Sequence, residues 1–324
     1  MSILRKLSSK ENHYSYDYLI FIGRFQIFHK AHLETISKSL KLSQYLIIVI
    51  GSYKVSLNPK NPWTANERKK WICDELSSKD LKRVRFIFLR DRLYNESLWK
   101  NDLINQVNKV IGPSIKRVAL IGHKKDESSY YLEIFHGWSF FETGLQGHMH
   151  STFLRADYFL RCDLRRIKEN VPRRVYSYLL NFMKSPKFKL IKKEYQDLSK
   201  SKIDKTNYDL ILCQNHVLLE VKKGFKRFSL PSLNKVSQEN QAGPFQEKSK
   251  LKRLKKIKTK TYAYSILKSK YKNKVTFSSL ALNLLPKLEK KFVWMNFEEL
   301  MTCEDRFENN HYQIISNLVF QNLH

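Results

Sequence analysis

The chain has 324 residues, which at roughly 100–200 residues per domain indicates two domains. Apolar residues make up 42% of it, enough for ordinary hydrophobic cores and too many for a disordered chain. No apolar run approaches the ~20 residues that a bilayer-spanning helix needs, and the basic N-terminus lacks the apolar block of a secretory signal. The 4 cysteines form no CxxC pair, which argues for reduced thiols rather than zinc or disulfides. We therefore expect a cytoplasmic protein without a membrane partner, and the oligomeric state is left open.

The net charge of +30 is extreme and unevenly distributed. Residues 1–160 hold 25 Lys and Arg against 15 Asp and Glu, whereas residues 161–324 hold 35 against 15. Such a charge favours polyanionic partners, because their binding releases condensed counterions. Lysine spread over solvated surfaces explains the same numbers, so a nucleic-acid-binding or regulatory second half stays an alternative.

In the first half, strand-like and helix-like segments alternate. Short apolar runs are typical of buried parallel strands, and the segments between them carry apolar residues at helical spacing. The predicted strands are Tyr18–Gly23, Tyr45–Gly51, Arg83–Leu89 and Arg117–Gly122, and the predicted helices are His32–Leu42, Thr64–Leu76 and Leu98–Ile111. This alternation predicts an α/β domain, a parallel sheet with flanking helices that binds ligands at the carboxyl ends of its strands.

The second half begins with a basic helical segment, residues 164–204, in which two prolines mark helix ends. From residue 207 onward, strand-like runs dominate and predict an α+β domain. These runs are Tyr208–Cys213, His216–Val221, Thr261–Leu267, Val275–Leu285 and Phe292–Met295. We thus predict a first domain at residues 1–163, a helical linker at 164–205 and a second domain at 206–324.

The segment after the first predicted strand has the properties of a phosphate site. It runs from Gly23 to His32 with the sequence GRFQIFHKAH and leads into a helix. Glycine lets a backbone approach a ligand closely, and a helix N-terminus offers free N–H groups and the positive end of a dipole. Arg24 and two imidazoles three residues apart, His29 and His32, add donors on the same side.

Four further polar segments follow a predicted strand or begin a helix. In the first, Thr64 and Glu67 form a capping box that starts a helix whatever the function. In the second segment, the indole of Trp99 suits stacking on a flat heterocycle, and the amide of Asn95 suits hydrogen bonding to a carboxamide. In the last, hydroxyls at a helix start suit a phosphate. The segments are Lys60–Arg68 (KNPWTANER), Leu93–Trp99 (LYNESLW), Gly122–Leu132 (GHKKDESSYYL) and Ser151–Arg155 (STFLR).

In this order, the five motifs resemble those of the nicotinamide-mononucleotide adenylyltransferases, in the archaeal-type form of the HxGH nucleotidyltransferase superfamily. The most specific match is GHKKDESSYYL, and the first segment is similar to GRFQPFHxGH. Ile27 stands where the family usually has proline, and Ala31 stands where it has glycine. The resemblance implies a Rossmann-like nucleotidyltransferase fold and the formation of NAD from ATP and nicotinamide mononucleotide.

The resemblance also implies roles for individual residues. The predicted catalytic residues are His29, His32 and Arg155; the predicted ATP and phosphate contacts are Gly23, Arg24, Phe25, Gly122, His123, Lys125, Asp126, Ser151 and Thr152; and the predicted mononucleotide contacts are Lys60, Trp63, Asn95 and Trp99. The attacking phosphate oxygen is already an anion, so the reaction needs positioning and charge neutralisation rather than a general base. Mg²⁺ is expected to bind mainly through the ATP phosphates, with no metal ligand assigned in the protein. Nicotinate mononucleotide is the alternative substrate.

One branch of this family carries a second domain, a Nudix pyrophosphatase, and the second half resembles it in its linker, its strands and the turn Phe228–Pro231. The metal-binding Nudix box, GX5EX7REUXEEXGU, is missing. Ser232 and Leu233 replace the two glycines of its LPGG turn, and Lys248–Lys260 has eight basic residues and no carboxylate where a glutamate-bearing helix is expected. We therefore predict a Nudix-like domain without hydrolase activity. The same basic run predicts a helix that attracts nucleic acid or another polyanion.

Overall fold

The first half of the chain forms a parallel sheet. A computed structural model describes residues 14–92, 95–114, 116–123, 135, 137–144, 150–200, 208–222, 227–232, 256–265, 272–280, 285, 288, 290–308 and 310–323. In these ranges the sheet has five strands in the order β3-β2-β1-β4-β5. The strands are β1 (Tyr16–Gly23), β2 (Ser43–Ile50), β3 (Val84–Phe88), β4 (Val118–Gly122) and β5 (Ser139–Glu142). The order changes direction at β1, and ligand clefts of open α/β sheets form at such a point, outside the carboxyl ends of the strands.

Helices connect the parallel strands, as parallel pairing requires. They are α1 (Lys30–Leu42), α2 (Ala65–Glu75), α3 (Ser78–Leu81) and α4 (Glu96–Ile111), and a further helix, α5 (Ser151–Ala156), follows β5. Neighbouring residues of a strand point to opposite faces, so Leu19 packs in one apolar cluster and Ile20 in another. Both faces of the sheet are therefore covered, which explains the continuous apolar runs of its strands.

Three helices follow the first domain's last motif, after a π-helical turn at Asp157–Arg161. They are α6 (Leu164–Asn170), α7 (Arg173–Phe182) and α8 (Pro186–Lys200). Pro172 caps α7 and Pro186 begins α8, as proline placement predicts. Val175 and Leu179 of α7 belong to the same core cluster as one face of the first sheet, and Tyr178 of α7 packs against Trp71 of α2. The helical segment therefore shares its core with the first domain. Of the helices described, none is long and apolar enough to cross a bilayer.

The second half forms a mixed sheet, in the order β11-β7-β6-β10-β9 with β8 paired to β7. Its strands are β6 (Tyr208–Cys213), β7 (His216–Val221), β8 (Phe228–Ser229), β9 (Lys256–Ser265), β10 (Lys272–Leu280) and β11 (Phe292–Asn296), and its helices are α9 (Phe297–Thr302) and α10 (His311–Leu323). Leu210, Leu219 and Phe277 of the sheet share a buried cluster with Ile314 and Leu318 of α10. The predicted α+β architecture is thus present.

Most predicted elements differ from the observed ones by a few residues at their ends, and β6 and β7 have the predicted bounds. The strand β5 is missing from the predictions, because four residues give little periodic signal. The helix predicted for the basic run is wrong for its described part, since Lys256–Lys260 lies in β9. The reason is the period-two pattern of Ile257, Thr259 and Thr261, whose β-branched side chains favour a strand. Residues 248–255 lie outside the described residues.

Candidate active site

The carboxyl end of β1 turns sharply into the loop before α1. Phe25 has a φ of 53°, in the left-handed region, and its buried ring lies against Gly23. A Cβ added at Gly23 would lie 2.8 Å from the ring of Phe25, so any side chain there requires the ring to move. The glycine and the phenylalanine therefore set the path of this loop together.

His29 and His32 come together at the beginning of α1. Their ring centroids are 3.6 Å apart, with an interplanar angle of 19°. The backbone N–H of His29 donates to Nδ1 of His32 at 3.3 Å, so Nε2 is the donor nitrogen of a neutral His32 ring. His29 is buried, and the half-buried His32 packs edge-on against Phe25 at 5.0 Å. The two predicted catalytic histidines thus form one packed unit at a helix N-terminus, where anions are stabilised.

The helix α5 carries the last motif and is bonded to the loop before α1. Arg155 donates through Nη1 to the carbonyl of Gln26 and through Nη2 to Oγ1 of Thr152, the latter at 3.2 Å. The hydroxyl of Ser151 donates to the carbonyl of Ile27 at 3.1 Å. Burial lowers the pKa of Arg155 to about 10. Arg155 is therefore an anchor of the loop as well as a positive charge next to it.

Three cations of the predicted site, Arg24, Lys60 and Arg155, lie near enough to repel one another. Desolvation, and after it the charge of Arg24, lowers the pKa of Lys60, while Asp91 opposes the shift and Arg155 adds to it. Arg24 likewise contributes to the lowered pKa of Arg155, behind burial. Cations that destabilise one another in this way are stabilised by a bound polyanion. A phosphate-bearing ligand at the carboxyl edge of the sheet would therefore be stabilised by these cations.

Arg68 joins the loops of this edge, a role that its place at the end of a predicted motif does not indicate. Its buried guanidinium donates to the carbonyl of Arg24 at 2.6 Å, after β1, and to that of Gly51 at 2.8 Å, after β2. It also donates to the carbonyls of Ser52 at 3.1 Å and Thr64 at 3.2 Å. Burial lowers the pKa of Arg68 to about 10. A single side chain of α2 thus fixes two loops relative to each other.

The loop after β2 is also bonded to the end of β3. Asp91 accepts from the backbone N–H of Ser52 at 3.2 Å and from its hydroxyl at 2.8 Å. The N–H of Tyr53 donates to the carbonyl of Leu89 at 3.0 Å. Asp91 stands outside the predicted motifs, because most of these bonds involve backbone atoms and leave no trace in a residue pattern.

Gln26 and Trp63 hold the loop before α1 against the loop before α2. The buried amide of Gln26 donates to the carbonyl of Trp63 at 2.9 Å and accepts from its N–H at 3.2 Å. The indole of Trp63 is 1% exposed and packs against Trp71 at 5.0 Å and Phe159 at 5.8 Å between ring centroids. Trp63 is a core side chain in this structure, and its contact with a mononucleotide stays a prediction.

Asn95 and Trp99 lie at the beginning of α4, at the carboxyl edge of the sheet. Oδ1 of the exposed Asn95 accepts from the N–H of Leu98 at 2.9 Å and caps the helix. The half-buried Trp99 packs against Phe135, with 6.1 Å between ring centroids. The capping bond uses the acceptor of the Asn95 amide and leaves its NH₂ group as the donor for a ligand.

The fourth predicted segment begins at the end of β4. The carbonyl of Gly122 accepts from the N–H of Thr143 at 2.8 Å and from its hydroxyl at 3.0 Å. Nδ1 of His123 lies 3.8 Å from Oε1 of Glu142. The predicted nucleotide contacts Lys125 and Asp126 lie outside the described residues.

The donors at this edge suit phosphate oxygens rather than a metal. Among the residues described, no group of three or more His, Cys, Asp or Glu is placed to hold a metal ion. Guanidinium, ammonium and imidazole groups instead gather where the strands β1 and β2 end, and these groups bind phosphate. Together with the parallel sheet, they define the class of the first domain as a Rossmann-like α/β domain whose strand ends suit a phosphate-bearing ligand.

Sequence comparisons give the family within that class. The cytidylyltransferase-like family matches residues 20–115. The nicotinamide/nicotinic acid mononucleotide adenylyltransferase of Acinetobacter baylyi is 39% identical over 184 residues, which are 56% of this chain and 95% of that protein. The nicotinamide-nucleotide adenylyltransferase of Saccharolobus solfataricus is 31% identical over 163 residues, 50% of this chain and 88% of that protein. The chain therefore belongs to the nicotinamide/nicotinic acid mononucleotide adenylyltransferase family.

Solved structures extend the likeness to the second half. A bifunctional NMN adenylyltransferase/ADP ribose pyrophosphatase from Francisella tularensis matches with a TM-score of 0.74 and 23% identity, over 94% of this chain and 99% of that one. Its complex with AMP and a manganese ion matches with a TM-score of 0.76 and 22% identity, over the same shares of the two chains. The predicted fold, a nucleotidyltransferase domain followed by an α+β Nudix-like domain, is confirmed.

Proposed function

We propose that this protein is a nicotinamide-nucleotide adenylyltransferase, which makes NAD and pyrophosphate from ATP and nicotinamide mononucleotide in NAD biosynthesis. The observation that carries the proposal is the paired His29 and His32 at the N-terminus of α1, with Arg24 and Lys60 at the same edge of the sheet. This arrangement suits the neutralisation of phosphates. The family relationship supports the same reaction, because its members are named for it.

In the proposed reaction, a phosphate oxygen of the mononucleotide forms a bond to the α-phosphorus of ATP, and the bond from that phosphorus to pyrophosphate breaks. No proton moves in this step, so the protein supplies position and positive charge. Nε2 of His32 is the donor nitrogen of its ring, given that Nδ1 already accepts a bond. We assign it to the reacting phosphate, and we assign Arg24, Lys60 and Arg155 to the remaining phosphate charge.

The metal enters this proposal as part of the substrate, MgATP. Among the described residues, the candidate active site of the first domain has no carboxylate cluster. Mg²⁺ commonly keeps water and phosphate ligands, so it can bind through ATP. The Francisella structure was solved with AMP and a manganese ion, which fits a nucleotide and a divalent cation on this fold. We propose Mg²⁺ as the divalent cation that accompanies ATP.

Asn95 bears on the choice between the amide and the acid substrate. Because its Oδ1 caps α4, its NH₂ group is the donor left for a ligand. Both the carboxamide oxygen of nicotinamide and the carboxylate of nicotinate accept from such a donor, so Asn95 alone does not separate them. We propose nicotinamide mononucleotide as the substrate and keep the nicotinate analogue as the alternative.

The test is an assay of purified full-length protein with MgATP and each mononucleotide in turn. We expect pyrophosphate release and a dinucleotide product with nicotinamide mononucleotide, at a higher kcat/KM than with the nicotinate analogue. The absence of pyrophosphate above the blank with both substrates would refute the proposal.

For the second domain we propose the absence of Nudix hydrolysis. The expected glutamate helix is replaced in sequence by the basic run, and the described end of that run belongs to β9. Of the carboxylates described in this domain, Glu220 is buried and paired with Lys222 at 2.8 Å, and Glu299 caps α9. Metal-activated water needs several free carboxylates on one face.

We further propose domain limits at residues 1–163, 164–205 and 206–324 and a cytoplasmic location. We also propose a polyanion-binding role for the basic run Lys248–Lys260. A titration with a short RNA at low and at moderate salt tests the last of these, because phosphate contacts weaken steeply as salt rises.

A further inference from the structure

The second domain touches the first through a short segment between α9 and α10. The carboxylate of Glu304, 3% exposed, lies 3.2 Å from Nη1 of Arg90, which follows β3. The hydroxyl of the buried Ser56, in the loop after β2, donates to the carbonyl of Phe307. Arg90 and Ser56, the two residues of the first domain in these contacts, both lie in loops at the carboxyl edge of its sheet. The segment Cys303–Phe307 therefore lies against the edge at which the proposed site is built.

Glu304 is held in place from its own side as well. Nε2 of Gln313, in α10, lies 3.4 Å from Oε1 of Glu304, the oxygen not paired with Arg90. Phe307 packs against Phe228 at 5.6 Å and Tyr312 at 5.5 Å between ring centroids. The segment is thus fixed to the core of the second domain, so it presents the carboxylate from a rigid support.

The charges around Glu304 come mainly from the first domain. Burial raises the pKa of Glu304, and the cations Arg90, Arg92 and Lys54 oppose that rise, whereas Asp91 adds to it. A carboxylate buried in this way is costly unless it is paired. The pairing with Arg90 therefore couples the arrangement of these loops to the docking of the second domain.

The loops that receive these contacts are the ones that carry the expected mononucleotide residues. Arg90 and Arg92 lie in the connection from β3 to α4, and the N–H of Asn95 donates to the carbonyl of Arg92 at 3.0 Å. Ser56 lies in the loop that leads to Lys60. The expected ATP contacts lie on other elements, at the ends of β1 and β4 and on α5.

We propose that Glu304 is a positioning residue for the mononucleotide subsite, acting through its ion pair with Arg90. The Nudix-like domain then serves as a fixed support for that subsite, independent of any hydrolysis. This inference rests on the proposed function, because it takes nicotinamide mononucleotide as the substrate. It accounts for a buried carboxylate that the chemistry of neither domain uses.

The experiment measures steady-state kinetics and calorimetric binding of nicotinamide mononucleotide for the full-length protein and its variants. Glu304→Gln keeps the shape and removes the charge, so we expect KM and Kd for the mononucleotide to rise by about tenfold. We expect KM for MgATP to stay within about twofold of the wild-type value, because the expected ATP contacts lie on other elements and should not move. Arg90→Met should give the same selective rise, and the double variant should add little to either single one. Asp305→Asn, the exposed neighbour, is the matched control and should match the wild type.

Each other outcome is decisive. An unchanged mononucleotide KM in Glu304→Gln, equal losses for both substrates, or additive effects with Arg90→Met would overturn the inference. If Glu304→Gln fails to fold, Ser56→Ala tests the second contact and should show the same selectivity for the mononucleotide. Wild-type protein that binds the mononucleotide but releases no pyrophosphate would refute the proposed function alone, since Kd still tests the inference. Wild-type protein that binds no mononucleotide would refute both.

Discussion

The two sheets of this protein differ in what lies at the ends of their strands. In the first, parallel sheet, the loops after β1 and β2 bring Arg24, His29 and Lys60 to one edge, where the charges act on one another. In the second domain, two of the described carboxylates are buried and have ion-pair partners. Glu220 pairs with its neighbour Lys222, and Glu304 pairs with the first domain.

We expect the two domains to differ in chemistry although both belong to a known architecture. The chain has the fold of a bifunctional NMN adenylyltransferase/ADP ribose pyrophosphatase over 94% of its length. In the second domain, Glu220 and Glu304 have structural partners, and the basic run Lys248–Lys260 stands where a glutamate helix is expected. We therefore propose that the chemistry of this chain belongs to the carboxyl edge of the first sheet, and the following predictions test that contrast.

The largest expected effect is the contrast between the two activities. The full-length protein should form NAD, and it should hydrolyse no ADP-ribose with Mg²⁺ or Mn²⁺, because the basic run Lys248–Lys260 stands in the sequence where the glutamates of a Nudix box are expected. The measurement is product analysis of both reactions on one preparation. Metal-dependent release of AMP from ADP-ribose would show that the argument from missing glutamates is wrong.

The next effect concerns the histidine pair. His32→Ala should lower kcat by about 100–1000-fold, the range found when one donor to developing charge is removed. KM for the mononucleotide should change far less, because the bond is expected to matter mainly in the transition state. His216→Ala, a half-buried histidine of the second domain, is the control. An unchanged kcat in His32→Ala would remove this residue from the mechanism.

The third effect is on stability and concerns Arg68. Arg68→Met removes the donor of four side-chain hydrogen bonds, of which one is buried and three are part-buried, so we expect a loss of about 3 kcal/mol in the free energy of unfolding. Lys70→Met, on the exposed side of the same helix, should cost within about 0.5 kcal/mol. Denaturant unfolding of both variants checks the difference, and equal losses would contradict the bridging role.

The first sheet was predictable because its strands are buried on both faces and its motifs stand at their ends. The runs before Gly23 and Gly51 have no polar interruption, and the capping box at Thr64 and Glu67 is present as predicted. The second part of β9 lies in the predicted strand Thr261–Leu267, whereas its first part, Lys256–Lys260, is wrongly predicted as a helix. The lysines of that part suggest a solvated helix, but its alternating β-branched residues favour a strand. In this segment, the spacing of β-branched residues predicts the secondary structure better than the local charge does.

The site was predictable in its motif residues and not in the contacts that join them. Arg68 leaves one signal, an arginine three and four residues before the buried Trp71 and Ile72, on the apolar side of α2. Gln26 and Asp91 bond mostly to backbone atoms, and Glu304 acts across 214 positions from Arg90, so no spacing in the sequence connects them. Such bonds depend on the folded arrangement of loops.

The smallest effect is a pH-dependent one, at the contact between the two domains. Burial raises the pKa of Glu304 from its usual 4.5, so the folded protein holds this proton more tightly than the unfolded chain does. The contribution of Glu304 to stability is therefore present below that value and is lost as pH rises through the raised pKa. Glu304→Gln removes this loss, so its Tm relative to that of the wild type should increase as the pH rises above 4.5. Asp305→Asn should show no such trend. A more stable variant with weaker mononucleotide binding would mean that the buried charge is retained for the site at a cost in stability; a Tm difference that is flat with pH would contradict the raised pKa.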